Sequence, residues 1–293
     1  MPEPLPSVSV VVPAYNEAAH LAAQLEALGA QDYDGEVEIL VADNGSTDGT
    51  PDVARAVGEQ SVPEVRVLDA GERPGPSAAR NAGWRAATGD VILFCDADDL
   101  AEPGWVRAMV DALATAGVVG GRLEVQSLND PLTLAWRQPP AQTALPRGEG
   151  YLPFAMGSNM GVRAEVLRSV GGFDEELDRS GEEPDLCWRA QLAGEAIAFA
   201  PDAVVRYRLR AGLRPLLRQQ RNWGKGSVDL YLRFRDKGMP RSSSAHALRR
   251  WAELLAGTPY ALISRKRRGR WAARLAYRWG RVLASIEHRT LYL

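Results

Sequence analysis

The chain has 293 residues and a net charge of −2 at pH 7, with 45% hydrophobic and 25% charged residues. This length predicts about two domains, or one large domain with an appendage, and this composition excludes disordered, fibrous and collagen-like proteins. The two cysteines and three histidines are too few for a disulfide framework, a Cys-rich zinc site or a His-cluster metal site. Uncharged apolar runs stay far below the roughly 20 residues of a membrane span. The N terminus lacks a charged start before an apolar run, so we expect no signal peptide and a cytoplasmic protein.

Charge is distributed unevenly along the chain. Residues 1–203 contain 13 Lys and Arg against 33 Asp and Glu, a net charge of −20. Residues 204–293 contain 22 against 4, a net charge of +18. This asymmetry predicts that the basic C-terminal region faces an anionic partner.

Short apolar runs alternate with helical patterns through the N-terminal part of the chain. The runs typical of buried strands are Val8–Val12, Val37–Ala42, Val65–Leu68 and Val91–Cys95. Helices are predicted at 16–28, 50–57, 77–88 and 105–113, with Pro13 ending the first strand and Asn16 capping the first helix. Strands that alternate with helices predict an α/β fold, a mainly parallel sheet with helices on both faces. In such sheets ligands bind beyond the carboxyl ends of the strands.

The rest of the chain shows weaker patterns. Residues 130–151 are rich in Pro, Gly and Gln and predict a long loop. Residues 162–169 and 184–192 predict helices, and residues 196–200 predict a strand. Basic helices are predicted after Leu213, with a linker at Ser242–Ser244.

Two motifs follow the first two predicted strands. VVPAYNEAAHL, residues 11–21, places Tyr15 where its ring can stack on a planar base, although a half-buried Tyr in a strand–turn–helix is the alternative. VADNGSTDGT, residues 41–50, places Asp43 at the end of the second strand. A carboxylate there can accept a hydrogen bond from a base N–H or a ribose hydroxyl, whereas the following residues are also ordinary turn formers.

Two acidic motifs lie further along the chain. CDADD, residues 95–99, places three carboxylates at the exit of a buried strand, which favours a bound Mg²⁺ or Mn²⁺ over a solvated acidic turn. GEEPDLCWRA, residues 181–190, places Glu182 and Glu183 near a predicted helix start. The helix dipole stabilises anions there, so these residues are either simple helix-start acids or an ionised general base.

Together with two further segments, these blocks resemble the family 2 inverting glycosyltransferases with the GT-A fold. The resemblance rests on VVPAYNE, VADNGSTDGT, ARNAGWRAATGDVILFCDADD, GSNMGVRAEVLRSVGGFDEEL and GEEPDLCWRA, and it covers residues 7–226. It implies an enzyme that transfers a sugar from a nucleotide-diphosphate donor, most often a UDP-sugar, with dTDP- and GDP-sugars as alternatives. The acceptor is left open as a glycan, a lipid-linked molecule or a small molecule.

The resemblance also implies a donor site. It assigns nucleotide binding to Pro13, Tyr15, Glu17, Asp43, Arg80 and Asp96. It assigns the divalent metal, Mn²⁺ or Mg²⁺, to Asp98, with Asp99 in support. Many relatives offer the metal a His in the strand after the acidic helix start. Residues 204–210 contain none, so Asp98, diphosphate and water are expected to hold the metal.

The acceptor side is implied in the same way. Ser158 and Asn159 lie in the segment where donor sugar and acceptor meet in that family. The family's base is the second acid of a Glu-Asp pair, which makes Glu183 the candidate. Because Glu is one methylene longer than Asp, Glu182 or Asp185 could share or take the role. Trp223 resembles a family Trp near the acceptor, with a core Trp as the alternative.

Two other functions are weighed against this one. A sugar-phosphate nucleotidyltransferase normally carries a Gly-rich basic loop after the first strand, and residues 13–17 contain no Gly, Lys or Arg. A catalytically inactive nucleotide-binding or membrane-surface module is disfavoured because acids occupy both the metal and the base positions. We expect a catalytic domain over residues 1–210, with a nucleotide-binding half to about 125 and an acceptor-binding half beyond it, and a basic helical region over residues 211–293.

The basic region carries an apolar stripe. Trp271, Leu275, Trp279, Val282 and Ile286 recur at helical spacing beside a cationic run that starts at Arg265. This pattern is typical of a helix lying on anionic lipid, at the inner face of the membrane. Packing on the acidic body and a homodimer contact are the alternatives. No nucleic-acid-binding motif accompanies the charge, so we expect no nucleic acid partner.

Overall fold

The computed structural model describes residues 4–59, 63–137, 142–177, 180–241 and 243–292, apart from the side chains of Ser244 and His246. One eight-stranded sheet organises these residues, in the order β3-β2-β1-β4-β7-β6-β8-β5. Its strands are β1 (Val8–Ala14), β2 (Val37–Asp43), β3 (Glu64–Asp69), β4 (Val91–Cys95), β5 (Leu100–Ala101), β6 (Val118–Glu124), β7 (Asn159–Arg163) and β8 (Ile197–Arg206).

Helices connect and cover these strands. The first seven are α1 (Leu21–Gly29), α2 (Thr50–Gly58), α3 (Pro76–Ala86), α4 (Trp105–Leu113), α5 (Pro131–Arg137), α6 (Ala164–Val170) and α7 (Glu182–Leu192). The C-terminal region adds α8 (Leu213–Phe234), α9 (Ser244–Ala256), α10 (Thr258–Ala261) and α11 (Arg265–Glu287). Short 3₁₀ turns occupy Gly148–Gly150 and Arg235–Lys237.

Pairing in the sheet confirms the predicted α/β class. β1 pairs in parallel with β2 and β4, β2 with β3, and β6 with β8, while β7 and β5 pair antiparallel to their neighbours. One core cluster joins the sheet to α1 and α4, and a second joins it to α6, α7 and α8. Helices therefore cover both faces, and the carboxyl ends of β1, β2 and β4 meet at one edge.

The start of the chain differs from the sequence prediction in two details. β1 continues through Pro13 to Ala14, with Pro13 opposite Ala42 in the register. Asn16 does not cap α1, which begins only at Leu21. Its backbone is left-handed, with a φ of 57°, and its Oδ1 accepts a hydrogen bond from the N–H of Thr47 at 2.8 Å. Asn tolerates this conformation better than most residues, and here it joins two loops.

Three elements in the middle of the chain also differ. The predicted loop over residues 130–151 contains α5, because the Asp130 carboxylate accepts hydrogen bonds from the first-turn N–H groups of Leu132 and Thr133. The segment 162–169 is divided, since β7 ends at Arg163 before α6 begins. β8 extends past Pro201 because a register shift between Gly121 and Arg122 bypasses residues 201–203.

The C-terminal helices pack on the rest of the molecule. α11 crosses α8 closely at Gly224 and Gly280, where an added Cβ would overlap the backbone of the facing helix. Trp136 of α5 donates a hydrogen bond from Nε1 to the carbonyl of Arg265 at 3.0 Å. The buried positions of α11 are small residues together with Arg281, and they do not include the apolar stripe, in which Trp279 is 51% exposed. Of the predicted linker, Ser242 lies outside the described residues and Ser244 begins α9.

Candidate active site

A cleft of about 1150 Å³ opens at the carboxyl edge of the sheet. Loops after β1, β2 and β4 form one side, and the start of α7 with parts of α8 and α11 forms the other. Sequence-predicted residues that line it are Pro13, Tyr15, Glu17, Arg80, Asp96, Asp98, Ser158, Glu182, Glu183 and Trp223. Residues separated by more than 200 positions in the chain are therefore brought to one cavity.

The end of the cleft near β1 and β2 carries an exposed ring and a buried acid. The Tyr15 ring is 60% exposed and lines the cavity. Asp43 precedes the lining residue Asn44 and is 8% exposed, and its Oδ2 accepts a hydrogen bond from the N–H of Ser46 at 3.2 Å. Asp43 Oδ1 is buried without a hydrogen-bond partner among the described residues. A buried acceptor left unpaired is costly, and a ligand N–H or hydroxyl would satisfy it.

The CDADD segment concentrates three carboxyl groups beside this end. Burial, followed by the charges of Asp96 and Glu17, raises the pKa of Asp98 to about 6. Burial and the charges of Asp96 and Asp98 also hold the pKa of Asp99 well above its usual range. Asp98 lines the cleft, whereas Asp99 points away and accepts a hydrogen bond from the backbone N–H of Arg208 at 2.7 Å.

A divalent cation fits this environment. Mg²⁺ and similar ions favour carboxylate oxygen, and such sites are commonly completed by substrate phosphates and water. Within the described ranges no group of three or more His, Cys, Asp or Glu side chains forms a complete metal site. The protein would therefore contribute few ligands to the cation. Asp98 is the best candidate, because it lines the cleft and, unlike Asp96, is not paired with Arg80.

Arg80 links the two acidic motifs. Its side chain is buried, and Nη2 donates a hydrogen bond to Asp96 Oδ1 at 3.0 Å, while Nη1 lies 3.5 Å from Glu182 Oε1. Burial disfavours the charge of Arg80, but the carboxylates of Asp96, Glu183 and Glu182 outweigh it and raise the guanidinium pKa. Arg80 Nε and Nη1 have no hydrogen-bond partner among the described residues.

The acidic tip of α7 is formed by a turn that favours glycine. Gly181 precedes the helix with a φ of 107°, and Gly157 approaches so closely that an added Cβ would lie 2.9 Å from Arg80 Cζ and 3.1 Å from Glu183 Cγ. Glu183 keeps some surface in the cleft, yet protein surrounds its carboxyl group on most sides. Burial and the charge of Glu182 raise the pKa of Glu183 to about 8, against the opposing effect of Arg80. The expectation that the helix dipole keeps this acid ionised at neutral pH is therefore wrong, because desolvation is the larger effect.

Besides Asp43 and Asp99, two further predicted candidates lie outside the cleft lining. Asp185 is fully buried and pairs with Arg189 at 2.7 Å and Arg233 at 3.1 Å, so it is a structural anion with no access to an acceptor. Asn159 is also fully buried. Its Nδ2 donates to the carbonyls of Arg122 and Ala203 at 3.0 Å, and its Oδ1 accepts from Trp105 Nε1 at 2.8 Å. These bonds tie β7 to its neighbours and leave Asn159 no free polar atom for a substrate.

The far side of the cleft contains residues that the sequence did not single out. Glu149 has a left-handed backbone, with a φ of 50°, and accepts hydrogen bonds from the Tyr277 hydroxyl and from Arg281 Nη1, the latter at 3.2 Å. Tyr277 lies on α11, so the C-terminal region contributes directly to the cavity. Arg208 follows β8 and donates from Nε to the carbonyl of Asp98 at 2.9 Å. The only sequence signal for Arg208 is its position after a predicted strand. Glu149 lies in a segment without apolar periodicity, so the sequence offers no signal for it.

The sheet order, the helices on both faces and the acidic cleft define an α/β transferase with the GT-A fold. Solved structures agree. A mannosyltransferase from Pyrobaculum calidifontis, in complex with GDP-Man and Mn²⁺, superposes with a TM-score of 0.66 at 23% identity, covering 96% of this chain and 88% of that one. Glucosyl-3-phosphoglycerate synthase from Mycobacterium tuberculosis, in complex with Mn²⁺, UDP and phosphoglyceric acid, gives 0.54 at 25% identity, covering 81% and 80%.

Sequence comparisons identify the family. The model of glycosyl transferase family 2 matches residues 9–171, and that of glycosyl transferase family group 2 matches residues 142–283. Glycosyltransferase AglE of Haloferax volcanii is 31% identical over 79% of this chain and 76% of its own length. A pre-mycofactocin glycosyltransferase of M. tuberculosis is 30% identical over 86% of this chain, which spans only 53% of that relative. The chain belongs to glycosyl transferase family 2 and is a glycosyltransferase.

Proposed function

We propose that the protein transfers a sugar from a nucleotide-diphosphate sugar, a UDP-sugar by preference, to an acceptor hydroxyl with inversion at the anomeric carbon. One observation carries the proposal: Asp98 and Glu183 line the same cleft, and buried Arg80 lies between their motifs. The structural neighbours support a nucleotide donor, since their complexes contain GDP-Man, UDP-GlcNAc or UDP. We assign the catalytic domain to residues 1–210, with a nucleotide-binding half to about 125, and side chains of α8 and α11 complete its cleft.

The nucleotide is proposed to bind where β1, β2 and β4 end. The ring of Tyr15 would stack on the base, with Pro13 and Glu17 lining the same part of the cleft. The unpaired Oδ1 of Asp43 would accept a hydrogen bond from a base N–H. Asp96 would accept from the ribose, held in place by the hydrogen bond from Arg80 Nη2, and the charge of Arg80 would act on the diphosphate. Each assignment uses a polar atom that the protein itself leaves accessible or unpaired.

A divalent cation would be held by Asp98 together with diphosphate oxygens and water. When bound, such an ion stabilises the charge that develops on the departing diphosphate. Two structural neighbours contain Mn²⁺, which supports this assignment.

The chemical step needs a base on the other side of the sugar. The Glu183 carboxylate would take the proton of the acceptor hydroxyl while the acceptor oxygen forms its bond to the anomeric carbon. The bond between that carbon and the diphosphate oxygen breaks in the same displacement, and the nucleoside diphosphate leaves with the electron pair. Glu182 would anchor Arg80, while Ser158 and Trp223 line the space left for sugar and acceptor.

A donor screen tests this function. Purified protein is incubated with UDP-, dTDP- and GDP-sugars, with and without Mn²⁺, and release of nucleoside diphosphate is measured. We expect release from one nucleotide class, greatest with UDP-sugars and dependent on the cation. Release of pyrophosphate from a nucleoside triphosphate and a sugar phosphate would instead identify a nucleotidyltransferase, and no turnover with any donor or acceptor mixture would indicate an inactive module.

We expect activity to rise with pH through neutrality. A general base works only when it is ionised, and the raised pKa of Glu183 leaves its carboxyl group largely protonated at pH 7. The value of kcat/KM should therefore increase up to about pH 8 and then level off, since this parameter reports pKa values of the free enzyme. The measurement is nucleoside diphosphate release across this pH range. In the control Glu183→Gln, the rise of kcat/KM with pH should be absent. If the wild-type kcat/KM instead falls as the pH rises from 6 toward the pKa of Glu183 at about 8, the assignment of Glu183 as the base is contradicted.

Asp43→Ala is expected to weaken nucleoside diphosphate binding. The binding free energy should weaken by about 1–3 kcal/mol, because the base N–H loses its hydrogen bond to the buried carboxylate. Isothermal titration calorimetry measures it, with Asp52→Ala as the control, because Asp52 is exposed, pairs with Arg55 and does not line the cleft. Unchanged affinity in Asp43→Ala would remove this residue from the nucleotide site.

A further inference from the structure

Large exposed apolar side chains collect in the C-terminal helices. Three of them form one short corner between α10 and α11: Tyr260 is 62% exposed, Leu262 is 69% and Ile263 is 68%. Four exposed cations, residues 265–268, follow immediately. We call residues 260–268 the basic corner. Seven exposed side chains, three apolar and four cationic, thus lie within nine consecutive residues.

The basic corner carries positive charge without nearby compensation. None of its four cations forms an ion pair with an acidic side chain in the part of the chain that the structure describes. The nearest acid in α9, Glu253, is occupied by Arg249 at 3.0 Å and by Arg250 at 3.5 Å. The Arg268 side chain donates a hydrogen bond to the carbonyl of Leu262 at 3.5 Å and to no acidic side chain among the described residues. The corner therefore presents four cations whose charge is open to an external anion.

The protein holds the basic corner in place. Ser264 caps α11 by accepting a hydrogen bond from the N–H of Arg267 at 3.3 Å. Trp271 Nε1 donates to the carbonyl of Leu254 at 2.9 Å, and Ala261 is buried between the exposed residues. Because the backbone is fixed on both sides, the outward position of the three apolar side chains is a property of the fold.

We propose that the basic corner docks on an anionic lipid bilayer. Its apolar side chains would enter the boundary between headgroups and acyl chains, and its four cations would contact the lipid phosphates. No described helix is long and apolar enough to cross a membrane, so contact would take place at the interface. A second copy is a poorer occupant, because symmetric contact at this corner would bring two sets of four unpaired cations together.

Vesicle binding tests the proposal with the full chain. Sedimentation is measured with vesicles of phosphatidylcholine alone and of phosphatidylcholine with phosphatidylglycerol, at low and high salt. We expect binding only to the anionic vesicles and loss of binding at high salt. Replacing residues 265–268 with Gln should reduce partitioning by roughly 10²–10³-fold, since each cation near such a surface contributes about fivefold. Tyr260→Ala with Leu262→Ala and Ile263→Ala should also reduce it strongly.

Matched variants separate this surface from general effects of charge and hydrophobicity. Gln replacements at exposed Arg168, Arg214, Arg218 and Arg235 change the net charge equally elsewhere. Leu5→Ala with Leu192→Ala removes exposed apolar groups from the catalytic body. Both controls should bind vesicles like wild type. Equal partitioning of all variants, or equal binding to neutral vesicles, would overturn the proposal. So would an oligomer in light scattering that only the basic-corner variants dissociate, because the occupant would then be a second copy.

Discussion

Glu183→Gln is expected to lower turnover by about 10²–10⁴, the usual contribution of a general base, with little change in donor affinity. The amide keeps the size of the side chain and can still form hydrogen bonds, but it cannot take the acceptor proton. Nucleoside diphosphate release under saturating donor measures turnover, and calorimetry measures affinity. The folded state raises the pKa of Glu183 to about 8, so the carboxyl group ionises more readily in the unfolded chain. This residue therefore lowers the free energy of unfolding as the pH rises toward that value. The variant should therefore melt at or above the wild-type temperature at pH 8, which separates lost chemistry from lost structure.

Two neighbouring acids serve as controls. Glu182→Gln should reduce turnover much less, since Glu182 lies 3.5 Å from Arg80 and anchors it without reaching an acceptor in our assignment. Asp185→Asn should act mainly on stability, because it removes a buried charge that two arginines neutralise. A larger loss in Glu182→Gln than in Glu183→Gln would make Glu182 the base. Wild-type turnover in both would place the base outside α7.

The predictable part of the fold follows from local apolar patterns. β1, β2 and β4 are continuous buried runs, and their polar exits at Tyr15, Asp43 and Asp96 were expected to meet because parallel strands end at one edge. β6 escaped prediction because its two glycines interrupt the run. The first part of β8 was predicted over residues 196–200, but its continuation was not, because Pro201 marks an end that the register shift bypasses. In both strands a tertiary pairing overrides the local signal.

Burial explains most of what the sequence could not provide at the site. Asn159 and Asp185 belong to the right motifs, but their polar atoms are consumed by carbonyls and arginines of distant segments. The pKa of Glu183 depends on desolvation and on Glu182 and Arg80 together, which no local rule contains. Glu149 and Tyr277 meet through a hydrogen bond between segments more than a hundred residues apart. Motifs locate the elements, and three-dimensional burial decides which of their side chains remain available.

Asp98→Ala is expected to abolish sugar transfer while leaving the fold intact. Without this carboxylate the proposed cation loses its ligand from the CDADD motif, and the diphosphate loses the charge stabilisation that makes it a good leaving group. Burial, followed by the charges of Asp96 and Glu17, raises the pKa of Asp98 to about 6, so its ionised form also weakens folding at neutral pH. The variant should thus melt no lower than wild type at pH 7 in the absence of metal. Transfer is measured as a function of Mn²⁺ concentration, alongside thermal unfolding.

Asp99→Asn is the matched control for the metal assignment. Asp99 stands next to Asp98 in the same motif, but it is 1% exposed and directed at the backbone N–H of Arg208, where an amide oxygen can also accept. We therefore expect its Mn²⁺ dependence to resemble that of wild type, whereas Asp98→Ala should stay inactive at every concentration. If Asp98→Ala transfers sugar at near the wild-type rate in the presence of EDTA, the cation site is assigned wrongly. Among the described residues, four arginines line the cleft, Arg80, Arg147, Arg208 and Arg210, and charge stabilisation of the diphosphate would then be assigned to this group.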